Sequence, residues 1–423
     1  METTSMKQTV FSKDFTLVAT GQIISLFGNQ ILRFALPLYL LNQTGSAALF
    51  GTIMAVSVIP MTLFYPIGGI IADRVNKRNI MVVLDFCTAI LVLLFCLLAG
   101  SMDIVALIAV TMIILCGIQG AYQPAVKASI PVLVRAEHLV QANSVVDLIN
   151  SLANMAGPVI GGILFSLVGL KLILYVSIGC FFAAAVMLSF LRIPYEKRPA
   201  QGNLFAIGRD DLQESFRFMF KQQPVLWKVS CVVALLGLLL TSLVLIAVPV
   251  LITQHLGFNP DTANRLYGYA QGIIATGAIL GGLFAGIFAK KLKLKTSPLI
   301  FTGAASSIFM IGVALQTLSN PMAIYIILAV GSGLLVALST VFQIQIMTCI
   351  QMLTPKELIG KVISCVICMC MCTMPLGQFV YGIVFENTGS YTYLPFYAAA
   401  LIVTGIAIFT RRIFYGIDRL TRD

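Results

Sequence analysis

Residues 68–78 read Gly68-Gly69-Ile70-Ile71-Ala72-Asp73-Arg74-Val75-Asn76-Lys77-Arg78. A long apolar run ends in paired glycines, then a carboxylate, then a cluster of bases. At a constant offset of 213 the pattern recurs as Gly281-Gly282-Leu283-Phe284-Ala285-Gly286, followed by Lys290-Lys291. The copy has lost its acid but kept the glycines and the basic end. Two similar junctions in one chain point to an internal repeat, and the long apolar runs before them point to a membrane.

Composition agrees. Of 423 residues, 59% are hydrophobic and 10% charged, against roughly 25% charged in a typical soluble domain. The mean hydropathy is +0.98, which leaves too little polar surface for a water-soluble protein of this length. The formal charge of +11 does not indicate a nucleic-acid binder, because the bases lie in short runs between apolar stretches. Only His138 and His255 are present, so a histidine-built metal site is not expected. The ten cysteines all fall in or beside apolar segments, which argues against a disulfide framework. Cys365, Cys368 and Cys372 share one helical face and read as small side chains at a helix contact.

A spanning helix needs about 20 mainly apolar residues. Twelve such segments are expected: 15–41, 48–72, 80–100, 104–127, 140–167, 170–191, 226–252, 264–289, 297–317, 321–349, 359–386 and 391–413. The first is too long for a cleavable signal and no small-residue cleavage site follows it. The connections carry a strong charge bias. The termini and the even-to-odd connections hold 24 of the 27 Lys and Arg residues, and the other side holds only Lys171 and Arg265. Arg33 lies within a span. By the positive-inside rule both termini are cytoplasmic.

The long connection 193–225 divides the chain into residues 1–192 and 226–423. Within it, residues 210–221 put Leu212, Phe216, Met219 and Phe220 on one face, as expected of an amphipathic linker helix on the inner membrane surface. Six spans plus six, with an internal repeat, is the organisation of transporters with a midplane site between halves. No phosphate-binding loop of an ATP-driven pump is present.

Residues 69–78 resemble the G-x-x-x-D-R-x-G-R-[RK] signature of the major facilitator superfamily, with Asn76 in place of a glycine. The resemblance implies an all-α membrane protein of twelve transmembrane helices in two pseudo-symmetric six-helix bundles. It also implies a gate built from Gly69, Asp73, Arg74, Lys77 and Arg78. Gly69 would let spans 2 and 11 approach, and Asp73 would sit near the positive N-terminus of span 11. A bare topology signal is the alternative reading. Span 5 carries Gly157-Pro158-Val159-Ile160-Gly161-Gly162, which resembles the G-P-x-x-G-G element of the antiporter branch. Gly157, Pro158, Gly161 and Gly162 then imply export against protons and a close seam with span 8. Residues 42–47 and 355–362 are similar to those of the macrolide-efflux permeases of the drug:proton antiporter group. One departure stands out: Leu115 occupies the place where that family often has an arginine linked to proton coupling.

Polar groups inside spans are functional candidates because their burial is costly. Asn143, Asp147, Asn150 and Asn154 fall within a stripe about 60° wide on span 5. Gln119 and Gln123 on span 4 reach a similar depth. Asp147 reads either as the proton-coupling or substrate carboxylate, or as a structural hydrogen-bond acceptor. Span 1 offers Gln22, Asn29 and Arg33 on one face, with Gln30 alongside. Arg33 either snorkels outward or works in a cavity, where it would disfavour a simple lipophilic cation. The candidate cavity set is thus Gln22, Asn29, Arg33, Gln119, Gln123, Asn150 and Asn154. Asp85 and Glu386, near span ends, read as structural.

The expected function is proton-driven efflux of amphiphilic, drug-like or macrolide-like small molecules by alternating access across a bacterial plasma membrane. A dedicated exporter of a siderophore, lysolipid or metabolite is the alternative, and a non-transporting receptor or scaffold a third. Nothing in the sequence suggests an enzyme. The expected partners are the substrate, protons and membrane lipids, with no cofactor, metal or nucleic acid. A monomer is expected.

Overall fold

The computed structural model describes residues 12–191, 193, 217–288, 296–355 and 358–420. Every regular element among them is helical. We number the long helices α1 (Lys13–Thr44), α2 (Ala47–Arg74), α3 (Lys77–Leu98) and α4 (Ile104–Leu133). Leu139–Ser189 is one continuous helix interrupted at Gly169, and its arms are α5 (139–168) and α6 (170–189). There follow α7 (Pro224–His255), α8 (Pro260–Ile287), α9 (Ser297–Thr317), α10 (Pro321–Leu353), α11 (Ile359–Asn387) and α12 (Leu394–Leu420). Among the described residues eleven stretches are long and apolar enough to cross a membrane. The longest, Gln141–Ser189, contains two of the twelve expected spans.

The break between those two spans has a simple cause. Gly169 adopts φ 70° and ψ 178°, a region open in practice only to glycine. The two arms therefore join without a loop. Asn76, which stands where the signature has a glycine, has φ −58° and ψ 118°, and its side chain accepts from the Arg78 backbone N–H as the N-cap of α3. A glycine here would lose that cap. The expected linker helix at 210–221 lies mostly outside the described residues. Of its neighbourhood, a π-type turn at Phe218–Gln222 is described, with Phe220 against the Trp227 ring at 5.1 Å between centroids.

The chain forms two compact units: Met1–Leu40 with Ser57–Gln201, and Leu41–Val56 with Gly202–Asp423. In the first unit α2 and α4 cross at glycines. A Cβ at Gly68 would lie 2.6 Å from Ala121 Cα, and one at Gly120 would lie 2.6 Å from the Met61 carbonyl oxygen. In the second unit α8 and α10 cross alike. A Cβ at Gly281 would lie 2.4 Å from the Ala337 carbonyl oxygen, and one at Gly333 would lie 3.1 Å from that of Ile273. Gly68 and Gly281, and Gly120 and Gly333, are related by the same offset of 213 found in the sequence. Close approach without side chains is what lets membrane helices gain packing where no hydrophobic driving force separates them from lipid.

Candidate functional site

The polar stripe of α5 lies on an open face. Asn143, Asp147 and Asn154 are exposed and Asn150 is half-buried. Two hydrogen bonds tie this stripe to its neighbours in the first unit. Gln30 on α1 donates to Asn154 Oδ1, and Gln123 on α4 donates to Asn150 Oδ1 at 3.5 Å. Asn143 and Asn150 also cap their own helix, donating to the Leu139 and Val146 carbonyls. The structure therefore brings together Gln30, Gln123, Asp147, Asn150 and Asn154 along one wall. Gln119 is more enclosed, at 9% exposure. Arg33 is half-buried.

Gln22 and Asn29 do not share that wall: both are buried, at 1% and 4% exposure. On α1 they form a column with Ser25, since positions i, i+3 and i+7 lie on one helical face. Through Ser25 the column reaches α3, where the structure corrects the reading of Asp85. Asp85 is not at a wetted helix end but is 2% exposed in the interior of the unit. It accepts from Ser25 Oγ at 2.7 Å and from the Tyr122 hydroxyl at 3.3 Å. Sequence reasoning passed over this acid because its partners come from two other helices. Polar Ser25 and Tyr122 are too common in spans to announce it.

Glu386 is also more than a solvated end group. Its Oε2 accepts from Ser46 Oγ and from the Ala48 backbone N–H, both at 3.1 Å. A carboxylate here satisfies an orphan donor at the start of α2 and complements the positive end of its dipole. Beside it, Gly51 and Gly382 bring α2 and α11 together, a Cβ at Gly51 lying 2.6 Å from the Gln378 carbonyl oxygen. Asn42 donates to Asn264 at 2.9 Å and Gln254 donates to the Leu41 carbonyl at 3.3 Å. The segment 42–47, singled out in the sequence, thus belongs to the packing of the second unit. Its Gly45 turns the chain with φ 64°.

At the Asp73 end of α2 the picture differs. A Cβ at Gly69 would meet nothing within 4 Å. The Asp73 side chain and residues 356–357 lie outside what is described. Arg78 donates to the Ser189 carbonyl at the end of α6. In the Gly157–Gly162 element, a Cβ at Gly157 would lie 2.6 Å from Gln30 Cβ and one at Gly161 would lie 3.1 Å from Phe34 Cδ1. These glycines admit α1 to α5 within the first unit, beside the Gln30–Asn154 hydrogen bond.

The second unit holds a cavity of about 260 Å³ lined chiefly by apolar groups, with Thr241, Ser339 and Gln343 as its neutral polar ones. One wall is the π-type turn Gly237–Thr241 of α7, a widened helical turn of a kind frequent at functional sites. Among the described residues no group of three or more His, Cys, Asp and Glu is placed to hold a metal ion.

A family model described as Major Facilitator Superfamily matches residues 18–377. The chain belongs to the Major Facilitator Superfamily. It is similar to macrolide efflux protein A of Streptococcus pyogenes, 25% identical over 388 residues, covering 89% of this chain and 90% of that protein. It is also similar to the multidrug efflux pump Tap of Mycolicibacterium fortuitum, 22% identical over 395 residues, covering 91% and 93%. Among solved structures, a bacterial homologue of the iron transporter ferroportin in an inward-facing state superposes with a TM-score of 0.69. That match has 15% identity and covers 94% of this chain and 98% of that one, and it shows the fold alone. The chain is a multi-pass membrane transporter of the bacterial inner membrane. As a major facilitator it is notable at Leu115, which is fully buried in α4 and supplies no charge to the unit.

Proposed function

We propose that the chain is a secondary exporter of amphiphilic small molecules, driven by proton antiport through alternating access. The observation that carries this reading is the exposed polar stripe of α5, joined to α1 and α4 by amide hydrogen bonds. A polar, acid-containing face in an otherwise apolar membrane helix is costly against lipid and useful against a polar substrate or water. Export is supported by the full-length likeness to two efflux proteins.

In this reading Asp147 is the accessible acid of the stripe. It meets the substrate, while Gln30, Gln123, Asn150 and Asn154 offer amide donors and acceptors. The apolar cavity of the second unit, at about 260 Å³, suits a ring or alkyl group of an amphiphile rather than a whole macrolide. Gly69, Asp73, Arg74, Lys77 and Arg78 form the gate on the cytoplasmic side, where both termini also lie. The test is a susceptibility panel in an efflux-deficient bacterium expressing wild type or Asp147→Asn at equal membrane levels. Wild type should raise resistance to at least one neutral or acidic amphiphile, macrolides included, and Asp147→Asn should abolish the gain. A panel in which the two strains match each other for every compound would reject the reading.

A further inference from the structure

We propose that Asp85, with Ser25, Tyr122 and Gln22, is a buried proton-binding site and holds the coupling proton. The coupling role rests on the antiport reading above, but the binding of a proton does not.

The geometry favours a site that works in both protonation states. Asp85 is almost completely removed from solvent, and its partner Tyr122 belongs to an apolar core cluster with Phe15, Met81, Val126 and Leu188. A carboxylate in such a place needs a cation or a proton, and among the described residues no cation bonds to it. Its polar contacts among the described residues are the Ser25 and Tyr122 hydroxyls. Among the described residues Tyr122 is the one titratable group hydrogen-bonded to it. On the surrounding helices Lys13, Asp14 and Arg33 of α1, Lys127 of α4, Asp147 of α5, Lys171 and Tyr175 of α6 and Lys77 of its own helix make no ion pair with it, and Arg78 is directed to the Ser189 carbonyl. Hydroxyls are the right partners for a switching acid. Each donates to the carboxylate, and each can rotate to accept from the acid once an O–H is present. A lysine or arginine would lock the ionised form.

A second observation gives the proton a path. Both side-chain atoms of Gln22, and Asn29 Oδ1, are buried without a hydrogen-bond partner. They flank Ser25 on the same face of α1, in a column about 10 Å long at 1.5 Å per residue. An amide buried in this way is costly unless water satisfies it. Water along the column reaches Ser25 and hence Asp85. The step is a simple transfer: a hydronium ion gives its proton to a carboxylate oxygen of Asp85, an O–H bond forms and water is left. The reverse transfer to water returns the ionised acid. The site is also wired to the open face. Tyr122 precedes Gln123, whose amide reaches Asn150 on the α5 stripe, so a shift of Tyr122 on protonation moves the group next to the substrate face.

The test is an infrared titration of the purified full chain in lipid, with no substrate present. Wild type should show the carbonyl stretch of a protonated carboxylic acid that disappears as pH rises. Asp85→Asn should lack this band and Asp147→Asn should keep it. An unchanged titrating band in Asp85→Asn would overturn the site. Should Asp85→Asn fail to fold, Ser25→Ala and Tyr122→Phe retain the acid but alter its hydrogen bonds. Each should shift the band frequency, and two unshifted bands would overturn the site equally. The coupling role is read in proteoliposomes. Asp85→Asn should lose at least tenfold of gradient-driven accumulation while keeping downhill exchange of the same compound, and retained accumulation would overturn coupling through Asp85. Absence of any transport by wild type would reject export and leave the infrared result standing.

Discussion

The crossing of α2 with α4 and the crossing of α8 with α10 are built alike and furnished differently. In both, glycines 213 positions apart let one helix lie on the backbone of the other. The first unit also holds Asp85, Gln22, Asn29 and the α5 stripe. The second holds a cavity whose polar lining is neutral. The repeat has kept what the backbone needs and let the chemistry diverge. Packing at a glycine depends on a carbonyl a few ångströms away and tolerates no side chain, whereas a carboxylate is needed once. In the proposed reading the acids lie in the first unit, and the cavity of the second takes the apolar part of the substrate.

Breaking either crossing should have the largest effect. Gly68→Leu and Gly281→Leu each drive a side chain into a facing backbone, and overpacking of this kind costs about 1–3 kcal/mol or more. Both variants should be severely depleted from the membrane, measured by fluorescence-detected size exclusion. Full recovery of either would show that its crossing is not a rigid contact. Next in size is Asp147→Asn, which should leave folding intact and reduce gradient-driven uptake at least tenfold, read by radiolabelled substrate in proteoliposomes.

The repeat was legible in the sequence at Gly68 and Gly281, because glycine spacing survives as a pattern along one chain, but which helices cross at those glycines was not. The twelve spans were legible for the same reason, since length and apolarity are local properties. Asp85 was not. Its burial comes from α1 and α4, 60 and 37 residues away in sequence, and an acid eight residues into a helix looks wetted until those helices are in place. Gln22 and Asn29 were read as sharing one face of α1, but which neighbour that face meets is a tertiary fact. Glu386 was likewise hidden, because the helix start it caps is 338 residues away.

Smaller effects sharpen the same contrast. Filling the second-unit cavity with Ser339→Phe should weaken apparent substrate affinity several-fold and leave proton coupling unchanged, measured as KM against the ratio of protons to substrate moved. A changed ratio would place proton chemistry in the second unit. The smallest effect is expected of Arg33→Gln. Export of a permanently cationic dye should rise a few-fold relative to a neutral compound, as one positive charge at a partly dehydrated site is removed. Equal export of both compounds by the two proteins would mean that the arginine faces away from the substrate.

The most direct test of proton-driven export is proton movement itself. Everted membrane vesicles are energised to an inward-acid pH gradient, followed by a quenched weak-base dye, and a compound to which the chain confers resistance is added. Wild type should release the quench on each addition, as protons leave in exchange for substrate, and vesicles carrying Asp147→Asn should not. Substrate accumulation by wild type with no change in the quench would contradict proton antiport.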